Sequence, residues 1–302
     1  MKNNVEELVN NLPKPRYTED INLICDSGAF NGGYLGGVLF YLQELEKRHY
    51  IKINKISGAS VGSLLGTMYL LGKLEEFMPL VSSLLRCYRE SHCLQDFEKI
   101  LSTFISEFKE DEYKKLNKRM YITYFDIENM KQEVISEYTS NNHLKNVILK
   151  STFIPFFMDG KATYKGAIDG FFPYIFNSRT IDDTKILFIR LTQLGMFKKM
   201  LHSGGERNAS QRISEGVLDA HVFYTTNKKT KLCSWVNYWG VSDYIKFRLR
   251  ELFKMISVII IFLYVKLKPY IPKKIFGNKY IRLIRFFLYQ LFDDLFIIFY
   301  NS

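Results

Sequence analysis

Ile51-Lys-Ile-Asn-Lys-Ile56 followed by Ser57-Gly-Ala-Ser-Val-Gly62 is the stretch from which the fold is read. Residues 51–56 alternate as a half-buried strand does, and they run straight into a turn of small residues. Residues 63–71 then read as an apolar helix. The same order occurs once upstream. The apolar run 21–25 ends at Asp26, a glycine-rich turn covers 27–37, and residues 38–47 place Val38, Leu39, Leu42 and Leu45 at helical spacing opposite Glu44, Glu46 and Lys47. Two strand–turn–helix units within 72 residues predict an α/β chain with a parallel sheet and helices packed on it.

Further along, residues 74–110 read as mostly helical, and 120–125 and 133–138 as strands joined by a loop at Glu128-Asn129. A helix over 143–151 stops ahead of Pro155, because proline disfavours helix in the residue before it. Residues 185–191 read as a strand and 209–223 as an amphipathic helix. Near Trp239-Gly240 the composition changes. Two apolar blocks, 255–265 and 286–300, flank a basic, proline-bearing stretch over 266–285. The expected divisions are a polar segment 1–18, a main domain 19–240 and a basic, hydrophobic helical extension 241–302.

With 302 residues, 47% of them hydrophobic and 16% aromatic, the chain has enough apolar side chains for a sizeable core. Intrinsic disorder, a collagen-like repeat and a small disulfide scaffold are excluded on that ground. The net charge of +11 is uneven. From Tyr244 onward eleven basic residues face three acidic ones, a net +8, which leaves only +3 for everything before. The basic partner is therefore a matter for the extension. Its charges interleave with aliphatic runs instead of lining a polar groove, which argues against nucleic acid and for a membrane surface. The first apolar block, as helix, spans about 16 Å against a hydrocarbon core of about 30 Å. The second contains Asp293 and Asp294, costly in lipid. An interfacial or re-entrant anchor is expected; the competing expectation is a pair of core helices packed on the main domain. Cys25, Cys87, Cys93 and Cys233 form no Cys-x-x-Cys pair, and residues 1–15 lack the apolar core of a signal peptide. These features predict an intracellular, cytoplasmic protein with peripheral membrane association, without a disulfide framework, metal or cofactor.

Gly58-Ala-Ser-Val-Gly62 fits the Gly-x-Ser-x-Gly nucleophile elbow, in which small residues flank a serine on a sharp strand-to-helix turn. Ser60 is the candidate nucleophile, and the N–H of Val61, at a helix start, is a candidate oxyanion donor. The competing reading makes Ser60 a simple helix cap. The earlier turn, Ser27-Gly-Ala-Phe-Asn-Gly32, has two readings as well. Ala29 breaks the Gly-x-Gly-x-x-Gly of a dinucleotide phosphate loop. Acyl transfer offers the other use, with backbone N–H groups aimed at an oxyanion. A nucleophilic serine needs a base. His202 and His221 follow it in the chain, but neither lies in a recognisable motif. Asp169-Gly170 falls in a loop after a helix and Pro155, whereas Asp159-Gly160 reads as a plain turn.

Together these residues resemble the patatin-like phospholipase family. Its members pair a glycine-rich oxyanion loop with a Gly-x-Ser-x-Gly elbow and a later Asp-Gly motif. Ser151-Thr-Phe-Ile-Pro155 is similar to the family's helix ending in Ile-Pro before the dyad aspartate, which selects Asp169 over Asp159. The spacing of Phe30, Gly32 and Tyr34 is similar to that of the adiponutrin and adipose triglyceride lipase branch. The resemblance implies a three-layer sandwich with a mainly parallel central sheet, and a Ser60–Asp169 dyad without a catalytic histidine. It also implies an oxyanion hole from Gly28, Ala29 and Val61, with Gly32, Gly58, Gly62 and Gly170 as motif glycines. The implied activity is cleavage of fatty-acyl esters of phospholipids or other glycerolipids through an acyl-enzyme. The alternative is a catalytically weak or inactive patatin-fold protein that binds lipid or membrane. Several positions depart from the family. Ser27 and Ala29 stand where glycine is usual, and alanine does not readily take a positive φ. Asn31 replaces a common arginine or lysine and so loses a fixed charge near the oxyanion. Phe171 replaces a small residue.

Overall fold

The two strand–turn–helix units form the centre of the sheet. In the computed structural model, which describes residues 2–91, 96–156, 158–176, 184–192, 196 and 209–267, β1 (Glu19–Cys25) and β2 (Ile51–Ala59) pair in parallel from Glu19 opposite Ile51 to Cys25 opposite Gly58. β3 (Met120–Asp126) lies parallel to β2 on one side, and β6 (Lys185–Ile189) lies parallel to β1 on the other. Three further strands are antiparallel: β4 (Lys131–Ile135) and β5 (Ala167–Ile168) on β3, and β7 (Cys233–Trp235) on β6. The order is β4-β3-β2-β1-β6-β7, with β5 off this path on β3.

The architecture is thus α/β with a mixed sheet, parallel at its centre and antiparallel at β4, β5 and β7. The parallel part is β3-β2-β1-β6, where apolar runs are covered on both faces. The edges close by hairpin or return strands. β3 turns into β4 because the Asp126 carboxylate accepts hydrogen bonds from the N–H groups of Glu128 (2.9 Å) and Asn129 (3.1 Å), folding the chain back in four residues. β4 therefore begins earlier than the expected strand over 133–138.

Alternation along β1 serves two cores. Ile21, Leu23 and Cys25 join the larger one, while Ile24 faces the smaller one with Ile186, Phe188, Val236, Trp239 and Phe247. The larger core takes in α2 (Gly32–Lys47), α3 (Val61–Leu70), α6 (Asn141–Thr152) and α7 (Ser210–Thr226), and the described chain also includes α1 (Lys2–Asn10), α4 (Phe77–Ser91) and α5 (Phe97–Ser106). Ser140 caps α6, its side chain accepting from His143 N at 3.0 Å.

α2 begins six residues before the expected helix over 38–47, because its glycines are packing residues and not turn residues. A side chain on Gly37 would strike the backbone carbonyl of Ile213, and one on Gly216 the carbonyl of Tyr34. These two glycines let α2 and α7 approach backbone to backbone.

The chain divides into two units, Met1–Leu252 and Phe253–Ser302, so the division falls twelve residues beyond the composition shift at Gly240. The boundary lies within α8 (Val241–Leu267). In the first unit, Phe247 of α8 packs on Phe188 and Trp239 with ring centroids 5.9 and 5.5 Å apart. Ile245, Leu249 and Leu252, on another side of that helix, are exposed. Among the described residues no helix is long and apolar enough to cross a membrane. The apolar block 286–300 lies outside the described residues.

Gly37→Ala and Gly216→Ala should each lower stability by about 1–3 kcal/mol, the usual cost of overpacking. Urea denaturation followed by circular dichroism checks this, and an unchanged midpoint would contradict the close approach of α2 and α7.

Candidate active site

β2 ends at Ala59 and α3 begins at Val61, so Ser60 alone makes the connection. It sits at φ 55° and ψ −127°, a conformation that a non-glycine residue adopts at a cost of roughly 1–3 kcal/mol. The elbow closes only because its flanking glycines carry no side chain. A Cβ on Gly58 would come within 2.5–2.6 Å of Gly62 and Ser63 backbone atoms, and one on Gly62 would collide with the Cys25 carbonyl and reach 2.8 Å from that of Asp26. The same contact brings the loop after β1 against the elbow. A side chain on Gly32 would strike Val61.

Asp169 follows β5 directly. β2 pairs along β3 as far as Ala59 opposite Thr123, and β5 pairs with Phe125 and Asp126. β4 occupies the other edge of β3 over those residues, so β2 and β5 share one edge, end to end. Ser60 and Asp169 therefore leave the sheet at neighbouring points. Ser151, in the last turn of α6, ties them together: its Oγ accepts from Ser60 N (3.0 Å) and its carbonyl accepts from Gly170 N (3.0 Å). Asp169 N donates to Phe153 O at 2.8 Å, and Thr123 Oγ1 donates to Phe172 O at 2.9 Å. Gly170 has no room for a side chain against the Thr123 carbonyl.

Both side chains are nearly buried, Ser60 at 4% and Asp169 at 5% exposure. Asp169 Oδ1 accepts from Phe171 N at 2.8 Å. The Ser60 hydroxyl donates no hydrogen bond among the described residues, so no bond joins it to Asp169. Catalytic hydrogen bonds are often long without substrate and tighten when it binds.

The loop after β1 supplies the candidate donors. Ala29 takes a positive φ of 43° despite its side chain, which corrects the expectation that alanine would resist it. Asn31 N closes the turn on Gly28 O at 2.8 Å. The N–H groups of Gly28, Ala29 and Val61 have no acceptor among the described residues. Asn31 is itself fully buried, its Nδ2 donating to Leu191 O (2.9 Å) and Met196 O (3.1 Å). The charge this loop lacks in sequence stands beside it. Arg212 of α7, 2% exposed, donates from Nη1 to Asn31 Oδ1 at 3.3 Å.

Ser60, Val61, Ala29, Gly32 and Arg212 line one open pocket. Apart from Thr152, its walls are otherwise apolar, including Leu64, Phe77, Leu80, Leu84, Phe97 and Met158. That lining suits a hydrocarbon chain.

His221 is not brought to this site. His221 Nδ1 pairs with Tyr41 OH at 3.0 Å, nine residues along α7 from Arg212, or about 13 Å at 1.5 Å per residue. His202 lies outside the described residues, as does Cys93. Asp159 is the turn it resembles in sequence. Burial alone would raise its carboxyl, but hydrogen bonds from the Lys161 side chain and backbone, 2.9 Å each, outweigh that and lower it. Beside the loop, burial first and the Asp26 charge second push the Cys25 thiol well up, so it stays protonated. Among the described residues no cluster of His, Cys, Asp and Glu is arranged to hold a metal.

Ser151 and Arg212 were not foreseen as site residues. Ser151 carried a signal, since it opens the Ser-Thr-Phe-Ile-Pro run; Arg212 carried none. No protein-family model and no curated protein matches this chain.

Ser151→Ala removes the acceptor of the buried Ser60 N–H. Loss of about 1–3 kcal/mol is expected, measured by thermal denaturation, together with slower acylation of Ser60. Wild-type stability and acylation in this variant would contradict the positioning role.

Proposed function

We propose that this chain is a patatin-like serine acylhydrolase that cleaves fatty-acyl esters of phospholipids or other glycerolipids, without a cofactor. One observation carries the reading: a serine held at positive φ in a glycine-flanked elbow, beside a nearly buried aspartate, on the wall of an aliphatic pocket. The three-layer patatin-like form of the α/β fold belongs to the same proposal. It is supported by the two cores on opposite faces of β1.

Asp169 accepts the Ser60 proton as Oγ attacks the ester carbonyl. Gly28, Ala29 and Val61 N–H groups receive the oxyanion, and their lack of other acceptors supports that role. The C–O bond to the alcohol then breaks and Asp169 returns the proton to the leaving oxygen. Water repeats the sequence on the acyl-enzyme: Asp169 takes its proton, hydroxide attacks, and the fatty acid leaves as Ser60 regains its hydrogen. The acyl chain occupies the aliphatic pocket, with Arg212 close to the reacting carbonyl end.

The substrate lies in a membrane, and the exposed side of α8 supplies the contact. Ile245, Leu249 and Leu252 project from it with Lys246 and Arg248 nearby, the pattern of a helix that lies in the plane of an anionic interface. Peripheral attachment on the cytoplasmic side follows from this pattern and from the basic residues of the extension. The unjoined Ser60 hydroxyl favours the second reading, a weakly active or inactive patatin-fold protein that binds lipid.

A fluorophosphonate probe separates the two. The wild-type chain should label, Ser60→Ala should not, Asp169→Asn should slow labelling at least 100-fold, and His221→Ala should leave it unchanged. Absence of labelling and of ester turnover in the wild type would leave the binding reading. For the membrane contact, Leu249→Ser with Leu252→Ser should reduce co-flotation with anionic phospholipid vesicles about 10-fold while turnover of a water-soluble ester persists. Undiminished flotation would contradict that surface.

A further inference from the structure

We infer that Arg250 is a positioning residue for the oxyanion loop, through which the C-terminal helix α8 fixes the candidate active site. The inference rests on the acylhydrolase reading for its catalytic consequence, but its geometry stands alone. Asp26 is the last residue before the loop and has no exposed surface. Its Oδ1 accepts from Ser27 N at 3.0 Å, the first peptide of the loop. Its Oδ2 accepts from Leu191 N (3.2 Å), Thr192 N (3.3 Å) and Thr192 Oγ1 (2.8 Å), and so joins the end of β1 to the end of β6. The Asp26 carbonyl packs against Gly62 of the elbow. One buried carboxylate thus holds the start of the oxyanion loop, and its own backbone touches the nucleophile turn.

A buried carboxylate needs a counter-charge. Arg250 provides it: Nη1 donates to Asp26 Oδ2 at 2.7 Å and to Thr192 Oγ1 at 2.8 Å. The guanidinium lies over the rings of Phe188 (5.4 Å) and Phe247 (5.0 Å). Among the described residues the ion-pair distance to Asp26 belongs to Arg250. Arg190 lies near enough that burial and the Arg250 charge disfavour its charged form while the Asp26 charge favours it, but it makes no ion pair with Asp26. Arg248, two residues before Arg250, is exposed and paired with Glu251. Arg250 and the exposed Leu249 and Leu252 are neighbours on α8, so the side proposed to meet lipid and the clamp on the loop belong to one turn of helix.

Hydrogen–deuterium exchange and turnover of p-nitrophenyl butyrate test this on the full chain. In Arg250→Gln, amides of residues 27–31 should exchange at least 10-fold faster than in the wild type, with β1 and α7 unchanged. kcat should fall at least 10-fold at unchanged KM, since the pocket is intact and the oxyanion donors are not. Arg250→Lys should recover part of both effects, and Lys114→Gln, which breaks an exposed ion pair with Asp111, should show neither. Wild-type exchange over 27–31 in Arg250→Gln would overturn the inference, as would faster exchange spread equally over β1 and α7. If the wild type turns over no ester, the acylhydrolase reading fails, and the exchange measurement still decides the Arg250 clamp.

Discussion

The rest of the site depends on a close backbone approach at Gly62. This glycine lies so near the carbonyls of Cys25 and Asp26 that no Cβ fits between them. The approach presses the start of α3 against the end of β1, and with it the elbow against the loop that begins at Ser27. Gly32 meets Val61 on the same terms. A serine hydroxyl and a set of N–H donors must lie within a few ångströms to act on one carbonyl. Here the absence of side chains at two positions achieves that spacing. Strain at Ser60 and Ala29, both at positive φ, is the accompanying cost.

Polar stitching then holds what the glycines permit. Ser151 accepts one N–H from the serine side and its carbonyl accepts one from the aspartate side, so a single residue of α6 relates two segments that are over a hundred positions apart. Asp26 does the same between β1, β6 and α8. Both sit where water is excluded, so each unmade bond would leave a buried polar group unsatisfied. The pocket beside them is walled mainly by apolar side chains, and the Thr152 hydroxyl on its lining donates back to Ile148 O of its own helix.

The centre of the sheet and the elbow were legible in sequence for a local reason. Apolar runs bounded by glycine turns are read within ten residues, and residues 21–25 and 51–56 both became strands. β5 and β7 were not legible, because they have two and three residues, too few to show a period. The start of α2 was misplaced because glycine marks a turn in one context and a helix contact in another. Only the position of α7, some 180 residues on, distinguishes them. Asp169 was singled out through its motif. Arg212 and Arg250 were invisible because their partners are 181 and 224 residues away, and one charged side chain on an amphipathic helix resembles every other.

The central claim is that Ser60 attacks and Asp169 alone manages the proton. Acid quench of the chain within milliseconds of mixing with a long-chain p-nitrophenyl ester, followed by intact-mass and peptide mass spectrometry, tests it most directly. The account predicts a transient acyl adduct confined to the peptide containing Ser60, formed in His221→Ala and lost in Asp169→Asn. Turnover without an adduct on Ser60, or an adduct that forms as fast in Asp169→Asn as in the wild type, would contradict it.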